Sequence, residues 1–314
     1  MRLRRLALPG AILGLLLLVA ASLAVGVYDV TQDEVGAALV GITRIPRTIA
    51  LLLSGCAMAA CGLVMQMLTQ NRFVDATTAG TAEWAALGLL VTVLLWPDSS
   101  LAMRIVTASA TAFLGTLVFM AVLRRVMDRS TLVVPIVGIM LGAVVSAVTT
   151  FLAVSTNALQ LISTWFTGSF TSVVRGRYEV LWIVLAVLVV VFVVADRLTA
   201  AGLGKDVATT LGIRYEHVIL LGTALVAVAA AVTTVVVGFL PFLGIIVPNL
   251  VSMVRGDDLR GNLPWVCVVG AGLVILCDIV GRTIVMPFEV PVALVLGVVG
   301  AVAFVTLLLR TSRG

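Results

Sequence analysis

The stretch AGLGKDVATTLGI, residues 201–213, holds the chain's single lysine, Lys205, and lies between two long apolar runs at 178–195 and 218–237. Gly202 and Gly204 permit a sharp reversal, and Lys205 to Leu211 reads as a short helix ended by Gly212. Thr199 offers a cap for it. Val207 and Leu211 are four residues apart and share a face, with Ala208 beside them. That face is apolar, yet a loop between two spans has no core of its own. It must lie on the end of the protein or enter a groove on a partner, for which this spacing is suited.

The solvent for the rest of the chain follows from composition. Of 314 residues, 61% are hydrophobic and 11% charged, with a mean hydropathy of +1.23. Soluble domains carry about a quarter charged residues, so this surface belongs in lipid. Backbone groups without water partners require helices or closed barrels, and these runs lack barrel alternation. The expectation is therefore an all-α membrane protein of about ten transmembrane helices: 8–28, 48–68, 79–96, 101–123, 133–154, 178–195, 218–237, 239–254, 264–281 and 291–309. The eighth is short and carries Pro241 and Pro248, which predicts a break or bend. No gap is long enough for a soluble domain, so residues 1–314 read as one polytopic transmembrane domain with a loop at about 199–214.

Basic residues orient the spans. With the N-terminus in the cytoplasm, fourteen of the 20 Lys and Arg fall inside; the other six are Arg44, Arg47, Arg104, Arg175, Arg177 and Arg282. Both termini are then cytoplasmic, and the net charge of +5 is a topology signal rather than a nucleic-acid footprint. The basic-then-apolar start imitates a secretory leader, but its run is long enough to span and the topology requires it. Cys56, Cys61, Cys267 and Cys277 fall inside spans without CxxC spacing and read as packing residues.

Chemistry is sparse. The one histidine, His217, has no marked nucleophile beside it, and no G-x-x-x-x-G-K-[ST] loop is present. The chain is therefore not expected to be an enzyme or to bind a cofactor. Glu83 and Asp278 are the only acids well within the spans, and Arg282 stands four residues after Asp278 as a helical partner. So few intramembrane charges argue against an ion-coupled secondary transporter. A non-transporting scaffold is the third class.

Five stretches together resemble the permease subunits of the vitamin B12 and ferric-siderophore importers, the type II ABC family. They are GLGKDVATTLGI, RIPRTIALLLSGCAMAACGLVMQ at 44–66, NRFVDATTAGTAEWAALG at 71–88, GFLPFLGIIVPNLVSMVRGDDLRGNLP at 238–264, and CDIVGRTIVMPFEVPVALVLGVVGAVAFVTLLLR at 277–310. The resemblance covers residues 30 to 310, and the TTAGTAEWAALG wording is most similar to the branch carrying ferric catecholate-type siderophores.

The resemblance implies helices 2–5 and 7–10 related as inverted halves. It also implies a second permease, identical or homologous, in a bacterial plasma membrane. ATP would be used by separate ABC ATPase subunits, and a binding protein would deliver a ferric siderophore from outside. Cobalamin or haem is the alternative cargo. Gly202, Gly204, Lys205, Val207, Ala208, Leu211 and Gly212 would form the ATPase coupling loop. Arg44, Arg47 and Arg282 match positions where arginines meet acids of the binding protein. The first two breach the positive-inside bias at a helix N-terminus, so something must compensate: lipid phosphates or a partner's acids. Glu83 and Trp84 stand near the inner gate, where Glu83 either faces the pathway or caps its helix. Arg129, Ser130 and Thr131 match a second gate region or are a solvated loop. Trp165 marks a short outer helix bordering the pathway, and Glu289 reads as a helix-start acid for the tenth span.

Overall fold

A computed structural model describes residues 2–26, 39–126 and 133–311, and all its regular structure there is helical. The helices are α1 (Arg2–Ala24), α2 (Ile45–Thr69), α3 (Thr81–Leu95), α4 (Leu101–Arg125), α5 (Val133–Ser155) and α6 (Leu159–Phe166). After them come α7 (Trp182–Val193), α8 (Ala195–Gly202), α9 (Lys205–Thr210), α10 (Tyr215–Val237), α11 (Leu243–Arg255), α12 (Leu259–Thr283) and α13 (Val292–Thr311). A π turn, Val40–Arg44, leads into α2, and a 3-10 turn, Glu179–Leu181, leads into α7. Among the described residues five helices are long and apolar enough to cross a membrane, one bent pair makes a sixth span, and four shorter apolar helices complete the expected set.

The core is built around α2, whose apolar window is 83% buried. Small residues let other helices reach its backbone. A Cβ on Gly62 would lie 1.9 Å from the Gly244 carbonyl oxygen of α11, and one on Gly55 would lie 2.7 Å from Ala271 Cα of α12. Association inside lipid relies on such close packing. Gly62→Val is therefore expected to prop α2 away from α11 and sharply lower the folded yield; fluorescence size-exclusion of detergent extracts measures it, and a wild-type profile would contradict this packing.

The two halves repeat one pattern. α2 packs on α12, and its counterpart α10 packs on α4. α3 starts after Gly80 at φ +79°, and α11 starts after Phe242 at φ +63°, both left-handed. Gly142 of α5 packs against Gly80, and Gly300 of α13 packs against Phe242. α2–α5 and α10–α13 thus form the inverted halves.

Three local readings change. The eighth span is short but runs through Pro248. Proline has no N–H to give the carbonyl four residues back, which is that of Gly244. The Gln66 side-chain amide donates to that carbonyl instead, at 3.2 Å, so the helix continues. The sixth span does not stop at 195; it bends by 64° into α8, which buries Ala195, Leu198 and Ala201. Thr199 is no cap: it lies inside α8, its hydroxyl donating to the Ala195 carbonyl at 3.0 Å.

Candidate functional site

Two clusters stand at opposite ends of α2, which at 25 residues is about 37 Å long. At its C-terminal end, Gly202 packs on Met67 and Gly204 lies against Gln70. This is the elbow between α8 and α9. Gly204 holds φ +107°, a conformation that needs glycine, and its carbonyl accepts the Ala208 N–H at 3.0 Å to start α9. The far end is closed by a Schellman motif. Gly212 sits at φ +73°, Ile213 N–H donates to Ala208 O, and Gly212 N–H donates to Thr209 O, both at 2.9 Å.

A six-residue helix would not persist alone, so these caps and the fully buried Ala208 hold it. Ala208 thus anchors the helix from beneath. Val207 and Leu211 point outward at 43% and 61% exposure, joined by Leu203 at 64%. Leu203, at the corner itself, carries no sequence signal, because it belongs to neither helical repeat. Lys205 reaches Glu216 at 3.8 Å, and Glu216 pairs with Arg124 at 2.7 Å, which ties the elbow to α4 and α10.

The other end gathers three arginines, two of which bond to the end of α1. Arg44 donates to the carbonyls of Leu23 and Ala24, and Arg282 to those of Ser22 and Val25. The last carbonyls of a helix lack intrahelical donors and carry partial negative charge, so guanidinium groups fit there. The expected Asp278–Arg282 pair is present at 2.7 Å. Arg47 joins it, with Nε and Nη2 donating to Asp278 Oδ1 at 3.1 and 2.7 Å, and Nη1 donating to both oxygens of Glu289 at 3.0 and 2.9 Å.

The compensation demanded by these cations is therefore largely internal. Arg282 is 7% exposed and deeply engaged, whereas Arg47 lies beside the open surface. Glu289 precedes α13 by three residues and serves Arg47 and the Thr171 hydroxyl (2.9 Å), so helix capping does not explain it. Partial burial pushes the Glu289 carboxyl up; the Arg47 guanidinium and the Thr171 hydroxyl outweigh this and hold it below the usual carboxylate range.

Glu83, Trp84 and Trp165 make three different sets of contacts. Glu83 lies in the first turn of α3 with its carboxylate over Gly142 of α5, and its Oε2 is buried without a hydrogen-bond partner. Trp84 packs on Gly115 of α4, so it fills a helix seam. Trp165, on α6, lines a cavity of about 510 Å³ with Arg104 and Arg177, and its carbonyl accepts the Phe239 N–H at 3.1 Å. Arg129, Ser130 and Thr131 lie outside the described residues.

Among the described residues, a helical bundle of about ten apolar spans in inverted halves, with an apolar elbow at one end, fits an integral membrane permease of the ABC type. The chain belongs to the FecCD transport family, whose model matches residues 10–310. It is 55% identical over 303 residues to the petrobactin import system permease protein FatD of Bacillus anthracis, covering 96% of this chain and 91% of that protein. It is 40% identical to the ferric-anguibactin transport system permease protein FatD of Vibrio anguillarum over 271 residues, 86% of each chain. A solved structure described as a metal-chelate type ABC transporter in an inward-facing conformation shares the fold, with TM-score 0.83, 24% identity, and 97% and 99% of the two chains covered.

Proposed function

We propose that this chain is the permease subunit of an ATP-driven importer that moves ferric-siderophore complexes from a binding protein into a bacterial cytoplasm. The observation that carries this is the elbow: a short, doubly capped helix presenting Leu203, Val207 and Leu211 to the outside at one end of the bundle. Apolar side chains held outward on a rigid mount fit the groove of a partner. The partner is an ABC ATPase subunit, which supplies the hydrolysis; this chain binds no nucleotide. Both termini and the elbow face the cytoplasm, and the Arg47 end faces outward. A second permease, identical or homologous, completes the pathway. The relatives that import petrobactin and ferric anguibactin support the siderophore cargo.

At the outer end, Arg47 is the arginine placed to meet an acid of the binding protein, with Arg44 beside it. Such charge-assisted contacts set register and encounter rate more than affinity. Uptake of radiolabelled ferric siderophore, cobalamin and haem by cells with and without the gene is the test. The expected result is gene-dependent uptake of the iron chelate alone, lost on ATP depletion and surviving collapse of ion gradients. Uptake of cobalamin or haem instead would reassign the cargo. Uptake that follows the ion gradient would make the chain a secondary transporter.

A further inference from the structure

The outer arginine cluster contains three guanidinium groups and two carboxylates, and the two carboxylates are not equivalent. The side chain of Asp278 is 0% exposed and takes the inner edge of Arg47, through Nε and Nη2. Glu289 is 31% exposed and takes only the outer nitrogen, Nη1. The first contact is part of the core, and the second lies at the rim. Beside Glu289 is a cavity of about 300 Å³, bordered by Arg44, Arg47, Thr171 and Arg282. It has room for one further acidic side chain, and cations line it.

We propose that Glu289 is an internal stand-in for a carboxylate of the binding protein, holding Arg47 until the incoming acid displaces it. This rests on the docking reading given above. The exchange replaces one carboxylate by another at Nη1, so that nitrogen always has an acceptor while Asp278 keeps Nε and Nη2. The exchange also has a mechanical result. Glu289 Oε2 accepts from the Thr171 hydroxyl, which ties the segment after α6 to the α12–α13 loop. Displacement opens that tie. The segment stays anchored by Arg175 N–H to Ile42 O and by Ala293 N–H to Gly168 O, at 3.0 and 3.2 Å, so the release is confined to the tip. Docking is thereby linked to residues 168–175, the segment that follows α6.

A competing internal acid lowers apparent affinity by the fraction of molecules whose Arg47 is occupied. Removing it must tighten docking, the opposite of what loss of a mere scaffold contact would do. The measurement is the affinity of the binding protein that supports uptake through this permease, titrated onto the whole importer in lipid nanodiscs. Glu289→Gln is expected to tighten binding about tenfold and Thr171→Val about twofold, by freeing a receptive state that is otherwise a minor one. Arg47→Lys, which keeps a charge for Asp278 but loses the planar fork, is expected to weaken it. If Arg47→Lys weakens docking while Glu289→Gln leaves it unchanged or weaker, the stand-in role is overturned and the docking reading survives. If Arg47→Lys changes nothing, the docking reading itself falls. Should Glu289→Gln not assemble, Thr171→Val decides: tighter binding supports the exchange, and unchanged or weaker binding overturns it.

Discussion

Aspartate at both Val207 and Leu211 is expected to reduce ATP-coupled uptake to background while the permease still folds and inserts. Both side chains point away from the bundle, at 43% and 61% exposure, so no core contact is lost. The mount is untouched, because Ala208, Gly204 and Gly212 hold the helix. What changes is the surface proposed to meet the ATPase. Two carboxylates forced into an apolar groove each lose hydration, a cost of several kcal/mol per ion even after relaxation. Docking would then fail rather than weaken. Co-purification of the ATPase and transport-stimulated ATP hydrolysis are the readouts. Normal stimulated hydrolysis in the double variant would mean the elbow is not where the ATPase sits. Ala208→Asp is the contrasting change: it buries a charge under the helix and is expected to unfold the elbow itself.

The second large effect is Asp278→Ala. Asp278 is fully buried, and it is the shared counter-charge of Arg47 and Arg282. Removing one member of a buried ion pair costs about 3–5 kcal/mol, because the partners stay charged and dry. Here Arg282 would keep only neutral acceptors, the Ser22 and Val25 oxygens, and Arg47 only the rim carboxylate of Glu289. Thermal unfolding in detergent should show a large downward shift, and the amount of protein in the membrane should fall. Glu289→Gln should barely move the same transition, since a rim-exposed pair contributes about 1 kcal/mol or less. Equal stability of Asp278→Ala and wild type would mean that the cluster is not a structural centre.

Much of the fold is legible because lipid imposes it. Long apolar runs must be helices, and short loops with biased charge orient them. The elbow is legible for a different reason: glycines fix where a short helix starts and stops, and Gly204 and Gly212 both hold positive φ. What escapes the sequence is long-range pairing. Pro248 predicts a break, and only the fold brings Gln66 to the orphaned Gly244 carbonyl. Glu289 beside Pro291 looks like an ordinary helix-start acid; its partners Arg47 and Thr171 are 242 and 118 residues away in sequence. Arg44 looks unbalanced until the end of α1 is placed beside it, and Arg47 until Asp278 and Glu289 are. The Asp278–Arg282 pair is local and legible; the acids that meet Arg47 are not, because they lie far from it in sequence.

The reach of α2 has a consequence for how far a push can travel. Arg47 stands near one tip of this helix, and Met67 and Gln70 meet the elbow at the other. Between them the helix is wedged backbone to backbone on α11 and α12, so it cannot flex locally without breaking those seams. It can only tilt as a rod. Over about 37 Å, a tilt of roughly 5° displaces one tip relative to the other by about 3 Å, comparable to the width of a side-chain contact. A rigid mast of this kind transmits angle rather than distance. Events at its two tips are then geometrically conjugate: whatever rocks one end re-aims the other, with no relay of side chains needed between them.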